Sequence, residues 1–154
     1  VLTDGGIYFD DNGVEQKKFD SQDGLGIKLL QLSGIEVAVI TARSTKSVAH
    51  RLKGLGVEHY YHGILDKSIA LEKLIKKLSI NLSESAYVGD DVIDLPVMTR
   101  VALPIAVANA QESVKDHALM VTEKSGGNGA VREVCNFLLK SQDKYDALVK
   151  SFLK

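Results

Sequence analysis

The sequence predicts an α/β fold, a Rossmann-like parallel sheet with helices on both faces plus a β-hairpin. Three observations carry that expectation. Short strand-like apolar runs alternate with longer segments of helical spacing through most of the 154 residues, the pattern of repeated βα units. Residues 35–40 (IEVAVI) are almost wholly apolar, as in a strand covered on both faces. Near the start, residues 7–9 (IYF) and 14–19 (VEQKKF) flank Asp10, Asp11, Asn12 and Gly13, and an Asn-Gly pair favours the positive φ of a tight hairpin.

The remaining elements follow in order. Ile27, Leu29, Leu30 and Leu32 suit a helix buried on more than one side, closed by Gly34. After IEVAVI, helical spacing returns at Val48, Leu52 and Leu55, with Ser44 or Thr45 as N-cap and Gly56 as stop. A strand is expected over 57–61. Asp66 then caps a helix with Ile69, Leu71, Leu74, Ile75 and Leu78 inward and Lys73, Lys76 and Lys77 outward. Strand 85–89, a short helix over 94–100, strand 103–108, a helix over 111–117 and strand 119–122 come next. A Gly-rich turn at 125–129 leads into a helix over 130–139, and the amphipathic residues 143–154 dock or fray.

Composition narrows the function. With 19 basic and 20 acidic residues, the net charge of −1 argues against an electrostatic hold on nucleic acid or anionic lipid. Hydrophobic residues at 45% disfavour disorder. The single cysteine, Cys135, excludes a disulfide framework and a multi-thiolate metal site. No apolar run approaches the ~20 residues of a membrane span, so a cytoplasmic protein is the expectation.

Chemistry in an open parallel sheet gathers beyond the carboxyl ends of the strands. Three such loops stand out. Asp90 and Asp91 adjoin at the end of 85–89, with Asp94 one turn on; Mg²⁺ would relieve their repulsion, whereas helix capping is the plainer reading. Thr41, directly after IEVAVI, offers a hydroxyl and backbone N–H groups to a phosphoryl oxygen, or merely enters a helix. Lys67 opens a helix, where the macrodipole favours anions, so a phosphate or carboxylate partner accounts for it better than the helix does; a solvated lysine is the alternative. Surface or loop positions are expected for His50, His59, His62 and His117, and a buried one for Cys135.

Thr, then Lys, then Gly-Asp-Asp in successive βα units resembles the haloacid dehalogenase superfamily of phosphotransferases. Thr41 matches its second motif, Lys67 its third, and Gly89, Asp90 and Asp91 with Asp94 its fourth. The segments VLTDGGIYFDDNGVEQKKF, QDGLGIKLL, VAVITAR, AYVGDDVIDLPVM and GGNGAVREVCNFLL further resemble the capless 3-deoxy-D-manno-octulosonate 8-phosphate phosphatases over nearly the whole chain. In that family VLTDG follows a strand ending Asp-x-Asp-Gly, whose first aspartate is the nucleophile and whose second is the general acid/base. The sequence begins at Val1, so the expectation is a single phosphatase domain over 1–154 whose N-terminal strand, central in the sheet beside that of Thr41, is missing from the sequence. A non-catalytic assembly domain of the same fold is the alternative.

The resemblance implies a Mg²⁺-dependent phosphatase of lipopolysaccharide biosynthesis acting through an aspartyl-phosphate. It assigns Thr41, Lys67, Asp90 and Asp91 to catalysis, Asp90 to the metal and Asp94 to orienting Lys67 or metal-bound water. Arg43 and Arg51 fall at positions that contact the sugar acid, whose carboxylate suits a bidentate guanidinium; a surface arginine is the alternative for each. Arginine at 43 favours the eight-carbon acid over a nine-carbon sialic-type acid 9-phosphate, while Gln22 stands where the family commonly has arginine. Arg132 would reach substrate or pair with a carboxylate. The resemblance also implies a homotetramer in which hairpins build a central barrel and neighbours close each site.

Overall fold

The computed structural model describes residues 1–153, and its order of elements follows the predicted alternation. Strands β1 (Tyr8–Phe9) and β2 (Glu15–Gln16) form the antiparallel hairpin, Tyr8 opposite Gln16. Its turn is organised by Asp10, whose Oδ1 accepts from the amides of Asn12 and Val14, while Gly13 adopts φ +74°. Helix α1 (Ser21–Leu32) starts earlier than the apolar pattern suggests because Asp20 caps it, accepting from Gln22 N.

Strand β3 (Ala38–Ile40), helix α2 (Lys46–Leu55), strand β4 (His59–Tyr61) and helix α3 (Lys67–Leu78) make the next two units. Strand β5 (Ala86–Gly89) leads through a 3₁₀ turn into α4 (Leu95–Met98), then β6 (Leu103–Ala106), α5 (Glu112–Lys115), β7 (Met120–Val121), α6 (Ala130–Ser141) and α7 (Tyr145–Ser151). Helix α1 packs along α6 and meets α2, α7 rests on α6, and α3 packs on α4. No described helix is long and apolar enough to cross a membrane.

The expected single sheet is two parallel ladders. Strand β3 pairs with β4, Val39 opposite Tyr60, and β5, β6 and β7 pair in that order, Val88 opposite Ile105. Among the described residues no ladder joins β3 to β5. Val1 packs on the cluster of Met98, Ala106 and Val107, and Leu2 on that of Ile27, Leu52 and Leu55. Irregular chain thus links the halves by packing, without a strand's hydrogen bonds.

Four expectations change in detail. IEVAVI is not covered on both faces: Ile35, Val37 and Val39 face the core while Glu36 and Ala38 are exposed. Leu32 and Ile69 are exposed rather than inward. The buried face of α3 runs Lys67, Ala70, Leu71, Leu74, a helical stripe that begins at the lysine and leaves Ile69 to one side. His59, expected at a surface or loop position, is buried on β4, its Nε2 3.6 Å from Glu36 Oε2, because strand alternation turns it inward.

Candidate active site

The site grows from the carboxyl end of β5. Gly89 ends that strand where a side chain has no room: a Cβ there would lie 2.6 Å from Met98 Sδ and 2.7 Å from Asp94 Cβ. The close approach lets the chain turn so that Asp94 folds back under Asp90 and Asp91. Asp94 is 1% exposed and accepts four hydrogen bonds, from Lys67 Nζ, Tyr87 Oη (2.6 Å), Asp90 N (2.9 Å) and Asp91 N (3.2 Å). Burial pushes its carboxyl up, but the Lys67 ammonium and these bonds outweigh burial and hold it below the usual carboxylate range.

Lys67 is the first residue of α3 and only 7% exposed. A cation buried at a helix N-terminus is unfavourable on both counts, so the ion pair with Asp94 is what holds it there. Asp66 caps the helix instead, taking Ser68 N and Ser68 Oγ on one oxygen. Tyr87 completes the group; burial and then the neighbouring Asp94 charge push its phenol well above its ordinary value, so it stays a donor.

The other two aspartates divide the work. Asp91, though exposed, accepts from Val92 N at 2.7 Å and forms a capping box with Asp94, so its carboxylate is engaged by the chain. Asp90 is not engaged in this way. Its Oδ2 lies 2.6 Å from the amino nitrogen of Val1 and its side chain is 40% exposed. No group of three or more metal-binding side chains occurs among the described residues. Asp90 therefore fits Mg²⁺ as a single, partly exposed hard oxygen donor at the strand end, which suits an ion that takes one or two carboxylates and completes its shell with water and phosphate.

Thr41 follows β3, its amide bonded to Tyr61 O and its Oγ1 accepting from Arg43 N at 3.2 Å. Ile64 N and Gly63 N return to Thr41 O and Arg43 O, clasping the loops after β3 and β4 together. Arg43 reaches back to the hairpin, Nη1 to Glu15 Oε1 at 3.1 Å. Arg51 lies elsewhere, across Gly24 with Nη2 3.4 Å from Asp20 O, so the two arginines share no partner. Arg132 is tied along its own helix to Asn136 at 2.8 Å.

Four residues carry structure here that the sequence reading did not single out. Tyr87 is hidden in an apolar strand. Glu15 and Lys17 share one face of the hairpin, Lys17 Nζ meeting Glu15 Oε1 at 2.7 Å and Gly6 O at 3.0 Å, and period-2 alternation was the available signal. Asp23 is buried in α1 and accepts from Arg132 N at 2.8 Å, its charge held against the start of α6. Cys135 is buried as expected, burial pushing its thiol up to about 12. The Gly-rich turn packs on residues 1–4: Gly127 N donates to Val1 O at 2.8 Å, and a Cβ on Gly127 would collide with the Thr3 and Asp4 backbone.

Residues 61–134 match the family described as haloacid dehalogenase-like hydrolase. The chain is 49% identical over 146 residues to the 3-deoxy-D-manno-octulosonate 8-phosphate phosphatase KdsC of Escherichia coli K12, covering 95% of this chain and 78% of the relative. It superposes with a TM-score of 0.95 and 45% identity on the Moraxella catarrhalis 3-deoxy-D-manno-octulosonate 8-phosphate phosphatase in complex with magnesium, phosphate and KDO, covering 99% of this chain and 87% of that one. The cobalt-bound deoxy-D-mannose-octulosonate 8-phosphate phosphatase YrbI of Haemophilus influenzae superposes with a TM-score of 0.94 at 37% identity, covering 100% of this chain and 91% of that one.

Proposed function

The chain belongs to the 3-deoxy-D-manno-octulosonate 8-phosphate phosphatases of the haloacid dehalogenase-like hydrolases, and on that premise we propose that it releases phosphate from 3-deoxy-D-manno-octulosonate 8-phosphate. The product is the free sugar acid for lipopolysaccharide biosynthesis. The observation that carries this reading is the buried Lys67, held by Asp94 beneath Asp90 at the strand end where phosphoryl chemistry in this fold is done.

Each residue has a task. The Lys67 ammonium neutralises a phosphoryl oxygen, and the Thr41 hydroxyl with the amides of its loop holds another. Asp90 would hold Mg²⁺, which supplies further positive charge to the transferring group when bound. Asp94 keeps Lys67 oriented, and Asp91 fixes the turn on which Asp90 stands. In this reading the nucleophile is the first aspartate of an Asp-x-Asp-Gly motif, which the 154 residues do not contain. Its carboxylate oxygen attacks phosphorus as the ester P–O bond breaks, and the second aspartate gives the leaving oxygen its proton. Water then hydrolyses the aspartyl-phosphate.

Arg43 and Arg51 contact the sugar acid in this reading, Arg43 through its open guanidinium edge. Exposed Ile7, Tyr8, Phe9 and Val14 on the hairpin support a homotetramer in which hairpins pack together and neighbours cover a site that has no cap domain. The buried, unpaired Cys135 fits the reducing cytoplasm.

Turnover by the natural protein on paired eight- and nine-carbon sugar-acid phosphates tests the reading. It calls for a higher kcat/KM on the eight-carbon ester. Preference for the nine-carbon ester would reassign the substrate, and no turnover of either would move the protein to a non-catalytic assembly role.

A further inference from the structure

The hairpin does more in this structure than expose apolar side chains. Glu15 and Lys17, two apart on one edge, turn toward the body of the domain, where Lys17 is 5% exposed and Glu15 20%. A single oxygen of Glu15, Oε1, takes both the Lys17 ammonium and Nη1 of Arg43. Lys18 reaches the other way, its Nζ 2.7 Å from Asn128 Oδ1 in the Gly-rich turn. The hairpin is thus pinned to the Arg43 loop on one side and to the 126–129 turn on the other.

Arg43 itself is 52% exposed, and Glu15 is its side-chain partner among the described residues. Two cations share one carboxylate, so the trio keeps a net positive charge next to Thr41. Glu15 occupies one corner of the guanidinium and leaves its other nitrogens available, the arrangement that presents a planar fork to a carboxylate. An unrestrained arginine would have to be ordered each time a ligand binds, whereas a tethered one has already met that cost. The Lys17 ammonium, hydrogen-bonded to Oε1 at 2.7 Å, lowers the Glu15 carboxyl below its ordinary value and keeps it charged and in place.

We propose that Glu15 is the positioning residue through which the hairpin sets Arg43 to receive the sugar acid's carboxylate. The inference rests on the reading of the preceding subsection for the identity of the ligand and extends it to a residue outside the phosphoryl-transfer motifs. Any movement of the hairpin, including one imposed by neighbouring subunits, would then reach carboxylate recognition through Glu15.

The test is calorimetric binding of free 3-deoxy-D-manno-octulosonate to the natural protein without metal, together with steady-state kinetics on its 8-phosphate. Glu15→Ala should weaken binding of the free acid about tenfold and raise KM by a similar factor, with kcat moving far less. Selectivity for the sugar-acid phosphate over a carboxylate-free phosphate ester should fall in step. Glu15→Gln, which keeps the acceptor and loses the charge, should lie between. In an Arg43→Ala background, Glu15→Ala should cost nothing further. A merely structural bridge would give none of this split: losing it would lower stability without separating KM from kcat. Unchanged or tighter binding of the free acid in Glu15→Ala, or additivity with Arg43→Ala, overturns the inference and leaves the phosphatase reading intact. Binding of the acid that depends on Glu15 and Arg43 without hydrolysis of any ester supports the inference and overturns the phosphatase reading.

Discussion

Lys67 and Tyr87 donate to the same oxygen, Oδ1 of Asp94, while Oδ2 takes the amides of Asp90 and Asp91. One buried carboxylate thereby ties the start of α3 to the strand end that presents Asp90. Four donors offset the cost of removing its charge from water, and the same four fix where the lysine points.

Tyr87→Phe removes one donor and adds no bulk. A hydrogen bond to a charged group contributes about 1.5–3 kcal/mol, and with three donors left the loss should fall near the lower figure. Urea unfolding of the variant checks this. A midpoint equal to wild type would show that Asp94 is satisfied without the phenol.

Gly89→Ala should be costly for a substitution of one methyl group. Its Cβ meets Met98 Sδ, which can move, and Asp94 Cβ, which is held by four bonds. Overpacking of this kind costs roughly 1–3 kcal/mol, and the strain falls on the residue that holds Lys67. Thermal unfolding should show a lower Tm, and tolerance of alanine would mean that the turn after β5 relaxes freely.

Asp23 gives a pH signature. Burial raises its carboxyl above the ordinary value despite the bond from Arg132 N, and its Oδ2 has no partner. Its contribution to stability is complete below the unfolded pKa of about 3.9 and is lost as pH rises through the higher folded value. Asp23→Asn keeps the acceptor and abolishes the titration, so it should gain on wild type between pH 4 and pH 7. Urea midpoints at the two pH values decide it, and a wild type that gains on the variant over that range would contradict the assignment.

The hairpin gives an assembly prediction. Phe9 is 64% exposed beside Ile7, Tyr8 and Val14. In the proposed assembly Phe9→Glu would place a charge where hairpins pack, so sedimentation should show a tetramer for wild type and smaller species for the variant. A tetramer that survives the charge would locate the contact elsewhere.

Much of this was legible from the residues. Thr41 and Asp90 follow strands and Lys67 opens the next helix, and the mismatch of a lysine with a helix N-terminus pointed to a phosphate or carboxylate partner, of which the structure shows the carboxylate of Asp94. What escaped depended on side-chain direction and long-range contact. Ile69 has helical spacing as good as that of Leu71, but the stripe that is buried starts from Lys67, and only its link to Asp94 sets that phase. Tyr87 reads as an ordinary strand residue until its hydroxyl is seen on Asp94. Glu15 and Arg43 are 28 residues apart, and no local pattern joins a hairpin to a later loop.

The central claim is that Lys67, held by Asp94, neutralises a transferring phosphoryl group. Phosphate release from 3-deoxy-D-manno-octulosonate 8-phosphate by the natural protein and its Lys67→Ala variant, with Mg²⁺ saturating, measures it directly. Loss of one preorganised charge of this kind should lower kcat by about 100-fold or more. Near-wild-type turnover in the variant would contradict the account.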